Sequence, residues 1–423
     1  MNKKITVNLA LAIAIIAMTV TFVITMLLSM NLFDRTVSNV RAKEVMYNKI
    51  AEIDKNVRAN YYGEINNDSL YDYLCAGYIA GIGDKNATYY TAKQYMELQG
   101  IQNGQVIGVG VDVVMDTSGY ARVIRCYKDS PAAQAGIEKN WFITKIGDSD
   151  VKRLSLSQVN SQLRGEEGTT VTLTVISATG EEQTIELQRR TYDMPSIEYT
   201  VPSGKTTGYI QINNFNSNTA QEVQTAIDEM LALETPIQAI VFDVRNTSAG
   251  DLNAAMDVVD LLCPVGPIAS QQNKDGSVTV LDTSDNKEVD LPMAVLVNGN
   301  TSYSAELFAI SIREFGKGKV VGTQTAGKGT IQCTPVTLSD GSAISYTVGV
   351  LLDKEGQSFD GTGITPDVEI ALKADEEANF YQFTVDTDPQ ISKALEAVTA
   401  MLSSQSAQSG EDASLASTSV PAA

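Results

Sequence analysis

The 423-residue chain contains no histidine. That removes imidazole as a general base and as a metal ligand. Cysteine is also scarce: Cys75, Cys126, Cys263 and Cys333 stand far apart with no CxxC spacing. Scattered thiols without histidine do not build a metal site, so neither a metal nor a cofactor is expected. Each cysteine reads as a small buried apolar group. Basic residues are few, 31 against 51 acidic, giving a formal charge of −20. Nucleic acid is therefore not an expected partner, because its affinity comes from neutralised phosphates. The balance suits a well-hydrated acidic surface.

Charge is missing altogether from Ile5 to Phe33. A bilayer span needs about 20 apolar residues, and a signal-peptide core only about 7–15. No small-x-small cleavage site follows. Residues 5–33 therefore read as an uncleaved signal anchor, a transmembrane helix holding the chain to a membrane. Lys3 and Lys4 favour a cytoplasmic N-terminus, although Arg35, Arg41 and Lys43 lie just past the other end.

Beyond the anchor the pattern is that of an α/β (α+β) multidomain protein. Residues 36–100 read as helical, with Val57, Tyr61, Leu70, Leu74, Tyr78 and Ile79 at helical intervals. Asn67-Asp68-Ser69 offers a cap between two helices. Residues 104–190 read as short strands with two short helices, one of them capped by Ser130 with Pro131 in its first turn. The second spans Leu156 to Leu163. Residues 191–402 alternate strand and helix. Ile237 to Val244 is a continuous apolar strand of the kind buried on both faces. Asp257 to Leu262 and Tyr303 to Phe315 read as helices. Residues 403–423 are rich in Ser, Ala and Gln and read as a disordered tail.

Residues 293–332 carry the chemistry. They read as an apolar strand, a tight turn, a helix, a second strand and then Lys328 between Gly327 and Gly329. A helix N-terminus thus faces a lysine. Without histidine, acyl-transfer chemistry would need that lysine as its base. A lysine acts so only when neutral, which burial away from carboxylates favours. Gln332, four residues on, could orient the amine without adding a counter-charge.

The segment resembles the carboxyl-terminal processing (tail-specific) peptidases. The resemblance rests on Val297-Asn298, Glu306, Val321-Gly322, Thr325, Gly327-Lys328-Gly329 and Gln332, and on Gly363-Ile364-Thr365-Pro366-Asp367-Val368. It extends from about Val57 to Leu402. It implies a serine peptidase working through a Ser/Lys pair, with Lys328 as base and Gln332 as its orienting group. It also implies a PDZ domain at 104–190 and an α/β peptidase domain at 191–402. PDZ domains take an extended C-terminal segment at a sheet edge, here beside Ile107, Gly108, Val109 and Gly110. Polypeptide C-termini are then the partner, a homodimer through residues 36–100 is compatible, and the body lies outside the cytoplasmic membrane.

The sequence departs from the family at one decisive place. The family nucleophile lies three residues before the glutamate, and that position is Tyr303. Serines flank it at Ser302 and Ser304. Ser302, in the pre-helical turn, is the better substitute nucleophile, while Ser304 would supply a backbone oxyanion N–H. The second N–H would come from the turn at Gly250, where Ala249 replaces a family glycine. Two functions follow: cleavage near apolar C-termini, or peptide binding by a catalytically impaired homologue.

Overall fold

The computed structural model describes residues 7–248, 250–285 and 288–417, without the side chains of 7–15, 27–42 and 405–417. The chain divides into two compact units, Met1–Leu74 and Cys75–Ala423.

The first unit is dominated by one helix, Val7–Asn60. The boundary expected near residue 34 is absent, because charge alone does not break a helix and no Gly or Pro interrupts this stretch. Among the described residues no helix is long and apolar enough to cross a membrane. The anchor expected over residues 5–33 lies mostly outside the residues whose side chains are described. The next helix starts at Asn67, and its capping acceptor is Asn66, one residue earlier than expected. The Asn66 side chain accepts from the Ser69 N–H at 3.0 Å.

The second unit is built on a six-stranded sheet. Its order is Ile197–Thr200, Thr207–Ile212, Ala239–Asp243, Met293–Val297, Gly318–Gly322 and Val368–Glu369. All neighbours are parallel except the first pair. Period-two alternation divides each central strand between two cores. Ile240, Phe242, Val295 and Val297 face helices Thr219–Leu231, Leu252–Leu262 and Ser304–Glu314. Ala239, Val241, Ala294 and Leu296 face Ile391, Ala394 and Val398 of helix Pro389–Ser417. That last helix runs on to Ser417, past the start of the expected disordered tail. Ala, Gln and Glu in this stretch are good helix formers even without an apolar face. Residues 418–423 lie outside the described residues.

A buried ion network ties that last helix to the sheet. Arg245 donates to both Asp243 oxygens at 2.9 and 2.6 Å, and to Gln390 at 2.8 Å, and pairs with Asp388 at 2.9 Å. Tyr209 donates to Asp243 at 2.8 Å. Every partner is nearly solvent-free, so losing one would leave a buried charge uncompensated.

Between residues 104 and 190, strands Val111–Met115, Ala121–Cys126, Phe142–Ile146, Thr170–Ile176 and Glu182–Gln188 form an antiparallel sheet in that order. Strands Gln105–Gly108 and Val111–Met115 are parted at Gly110, where φ is 85° and a Cβ would fall 2.1 Å from that of Ser130. Gln105–Gly108 pairs instead with Arg190–Asp193. The hairpin Gly266–Asn273 with Val278–Ser284 escaped the sequence reading, and the strand expected over Ala343 to Val348 is split into Ala343–Ser345 and Thr347–Leu352. All four cysteines are free.

One pair of carboxyls predicts a pH response. Glu314 ends the Ser304–Glu314 helix, and burial together with the Asp353 carboxylate pushes its carboxyl up to about 8. It is protonated when folded but would ionise near 4.5 when unfolded. Its stabilisation is complete below 4.5 and lost as pH rises through about 8. Tm is therefore expected to fall by a few degrees across that window, and Glu314→Gln to flatten the fall. An equal slope in both chains would contradict this assignment.

Candidate active site

The site lies where strand Met293–Val297 ends and helix Ser304–Glu314 begins. The turn between them is held by amides and hydroxyls. Asn298 accepts from the Asn246 N–H at 3.0 Å and donates to the Asn246 side chain at 3.0 Å. Thr301 donates its hydroxyl to the Val244 carbonyl at 2.8 Å. Tyr303 then adopts φ 59° and ψ −113°, an uncommon backbone conformation for a bulky residue.

Glu306 holds this turn to the lysine segment. It is fully buried and its two oxygens accept four hydrogen bonds. One oxygen takes the Thr325 hydroxyl and the Gly327 N–H, the latter at 2.7 Å. The other takes the Tyr303 N–H at 3.0 Å and the Lys328 N–H at 2.8 Å. A glutamate three residues into a helix reaches back to the capping N–H by this same geometry. The Tyr303–Glu306 spacing was therefore a readable signal. Glu306→Ala would orphan four donors, and a loss of about 3 kcal/mol or more is expected by chemical denaturation. A loss below about 1 kcal/mol would mean that water replaces the carboxylate.

Lys328 is half-buried. Its ammonium nitrogen lies 5.5 Å from the centroid of the Tyr303 ring, within cation–π range. Among the described residues no carboxylate forms an ion pair with it. The Tyr303 phenol is pushed up to about 12 by burial, against the Gln332 N–H that faces it. Tyrosine, lysine and glutamine thus meet around one ring. Gln332 donates its side-chain amide to Thr330 at 3.2 Å and Thr347 at 3.0 Å. Its Oε1 is buried and, among the described residues, without a partner.

The flanking serines are turned elsewhere. Ser302 donates its hydroxyl to the Ser248 carbonyl at 2.9 Å. Ser304 is fully buried, with its hydroxyl unpartnered among the described residues. Gly250 presses close to it: a Cβ there would fall 2.9 Å from Ser304 Oγ and 2.9 Å from the Phe215 nitrogen. With φ at 140°, this position requires glycine. Ala249 lies outside the described residues.

A cleft of about 440 Å³ opens beside the Asn246–Ser248 turn, and Ser302, Tyr303, Lys328 and Gln332 do not line it. Its walls include Val111–Val114, Asn160 and Leu163 on one side and Asn246–Ser248 on the other. Of the four residues expected to bind peptide, Val109 and Gly110 line it, and Ile107 and Gly108 do not. The Val109 N–H is already bonded to the Leu163 carbonyl at 3.2 Å. Among the described residues, no group of histidine, cysteine or acidic side chains could hold a metal ion.

Residues 206–370 match the model of Peptidase family S41. Over 326 residues the chain is 31% identical to a probable CtpA-like serine protease of Staphylococcus aureus, covering 76% of this chain and 64% of that protein. Residues 206–370 are a peptidase family S41 domain. A probable CtpA-like serine protease of Staphylococcus epidermidis is also 31% identical, with 76% and 65% covered. The chain thus spans a little under two thirds of the length of these S41 relatives. In fold it is similar to a putative S41 protease from Bacteroides fragilis, with TM-score 0.55 and 18% identity over 81% of this chain and 99% of the other.

Proposed function

We propose that this protein is a membrane-anchored, extracytoplasmic peptidase that cleaves polypeptides near apolar C-termini, with Lys328 as general base. The observation that carries the reading is the lysine's setting. Glu306 fixes its backbone against the helix N-terminus, yet no carboxylate pairs with its amine among the described residues. That arrangement leaves the amine available for proton transfer. Residues 104–190 act as a PDZ domain in this reading. Support comes from the free edge of Val111–Met115 and from the cleft it shares with helix Leu156–Leu163. An extended C-terminal segment adds to such an edge through its backbone. The uncharged run from Ile5 to Phe33 supports the anchor.

Hydrolysis by the natural chain is slow in this reading, because Tyr303 fills the nucleophile position. Ser302 would have to leave the Ser248 carbonyl before its hydroxyl could serve. A second reading, peptide binding with no turnover, is favoured by the commitment of Ser302 and the burial of Ser304. Incubating the purified chain with a test protein that ends in small apolar residues separates the two. Slow cleavage supports the first, and binding without cleavage supports the second. Neither binding nor cleavage would remove both.

A further inference from the structure

The Gly83–Asn86 turn precedes strand Thr88–Tyr90 and is remote in sequence from Lys328. In space it reaches strands Thr330–Gln332 and Thr347–Leu352. Asp84 accepts the Thr347 N–H at 2.7 Å and the Thr347 hydroxyl at 3.1 Å. Asn86 donates its side-chain amide to the Thr330 hydroxyl at 2.8 Å. Thr330 and Thr347 are the two residues that receive the Gln332 amide.

The direction of each bond follows from donor inventory. An ionised carboxylate only accepts, so Thr347 must donate its one hydroxyl proton to Asp84. Burial works against ionisation of Asp84, but N–H donors from Thr347, Asn86 and Ala87 and the Thr347 hydroxyl outweigh it and hold the carboxyl below its usual range. The Thr347 oxygen then has only lone pairs left for Gln332, and must meet the NH2 end of that amide. The carbonyl end, Oε1, is forced to the opposite side, where it is buried and unpartnered among the described residues. A buried acceptor without a donor is costly unless it serves a further group. Lys328, four residues earlier, carries its amine 5.5 Å from the centroid of the Tyr303 ring, whose phenol faces the Gln332 backbone N–H.

We propose that Asp84 and Thr347 are positioning residues for the catalytic lysine: they lock the Gln332 amide in one orientation, so that its Oε1 takes a proton of Lys328. With one N–H so held, the direction of the amine lone pair is fixed. Released, the amide can turn and offer N–H to that lone pair, which quenches the base without removing it. This deepens the role of Lys328 and rests on that reading of the site.

The test reads the amine directly, whether or not peptide is cleaved. The full chain is treated with an acetylating reagent, and acetylation of Lys328 is followed by peptide mass spectrometry against exposed Lys319 as internal reference. Thr347→Val keeps the shape of threonine and removes the hydroxyl. Lys328 acetylation is expected to slow about three- to tenfold in Thr347→Val and in Asp84→Ala, and to return to the wild-type rate in Thr347→Ser. Equal rates in wild type and Thr347→Val would overturn the proposal. So would a Thr347→Ser chain as slow as Thr347→Val, since shape alone would then be at work. In parallel, cleavage is measured in a Tyr303→Ser background, where kcat should fall with KM unchanged. Absence of cleavage in every chain would sink the peptidase reading, while the acetylation pattern still decides the orientation of Gln332.

Discussion

Lys328→Ala is expected to lower cleavage of a C-terminally apolar protein by about a thousandfold, the middle of the usual range for losing a general base. The loss should fall on kcat, because the amine touches the reacting proton rather than the bulk of the peptide. The fold should survive. The backbone N–H of residue 328 keeps its bond to Glu306, and the side chain is only half-buried and makes no ion pair among the described residues. A second base cannot stand in through histidine, since the chain has none, and the pH profile should carry no imidazole limb. Unchanged turnover in a stable Lys328→Ala chain would remove the lysine mechanism altogether.

Tyr303→Ser should act in the opposite direction. The substitution puts a short hydroxyl where the phenol now stands, at the helix N-terminus and on the side that faces Lys328. It also clears the ring from the space the substrate carbonyl would occupy. An increase in cleavage of about a hundredfold is expected, as for a nucleophile brought within reach of its base. If the natural chain instead works through Ser302, then Ser302→Ala should silence it and Ser304→Ala should not. No gain from Tyr303→Ser, with Lys328 still in place, would locate the defect elsewhere in the turn.

Much of the site was legible because it is local. Tyr303, Glu306, Lys328 and Gln332 all fall in one continuous segment, and that segment of the sequence carries its own signals. Helix Leu156–Leu163 and strand Phe142–Ile146 have the bounds their periodicity indicates. Helix Leu252–Leu262 begins five residues earlier than expected, at the cap formed by Asp251, whose side chain accepts two N–H bonds. The Gly266–Ser284 hairpin was missed because its strands mix polar and apolar residues without a clean period-two alternation. The contacts of the turn at Asp84 were invisible for a different reason. Its bonds to Thr347 join residues 263 positions apart, and no local pattern reports a contact of that range. The glycines at 108 and 110 misled in detail: Gly110 makes room for Ser130, and Gly108 pairs with Arg164.

The buried Arg245 network also fixes when this domain can be finished. Asp243 and Arg245 end a central strand, whereas Gln390 is met 145 residues later in the chain. Until the last helix has been made, Arg245 lacks Asp388 and Gln390, and Tyr209, Val241 and Leu296 have no cover on their side of the sheet. A growing chain therefore holds one face of its central sheet open while the 145 residues from Arg245 to Gln390 are made. The turn at Asn246 continues directly from Arg245, so the mouth of the cleft is set only once the final helix has docked.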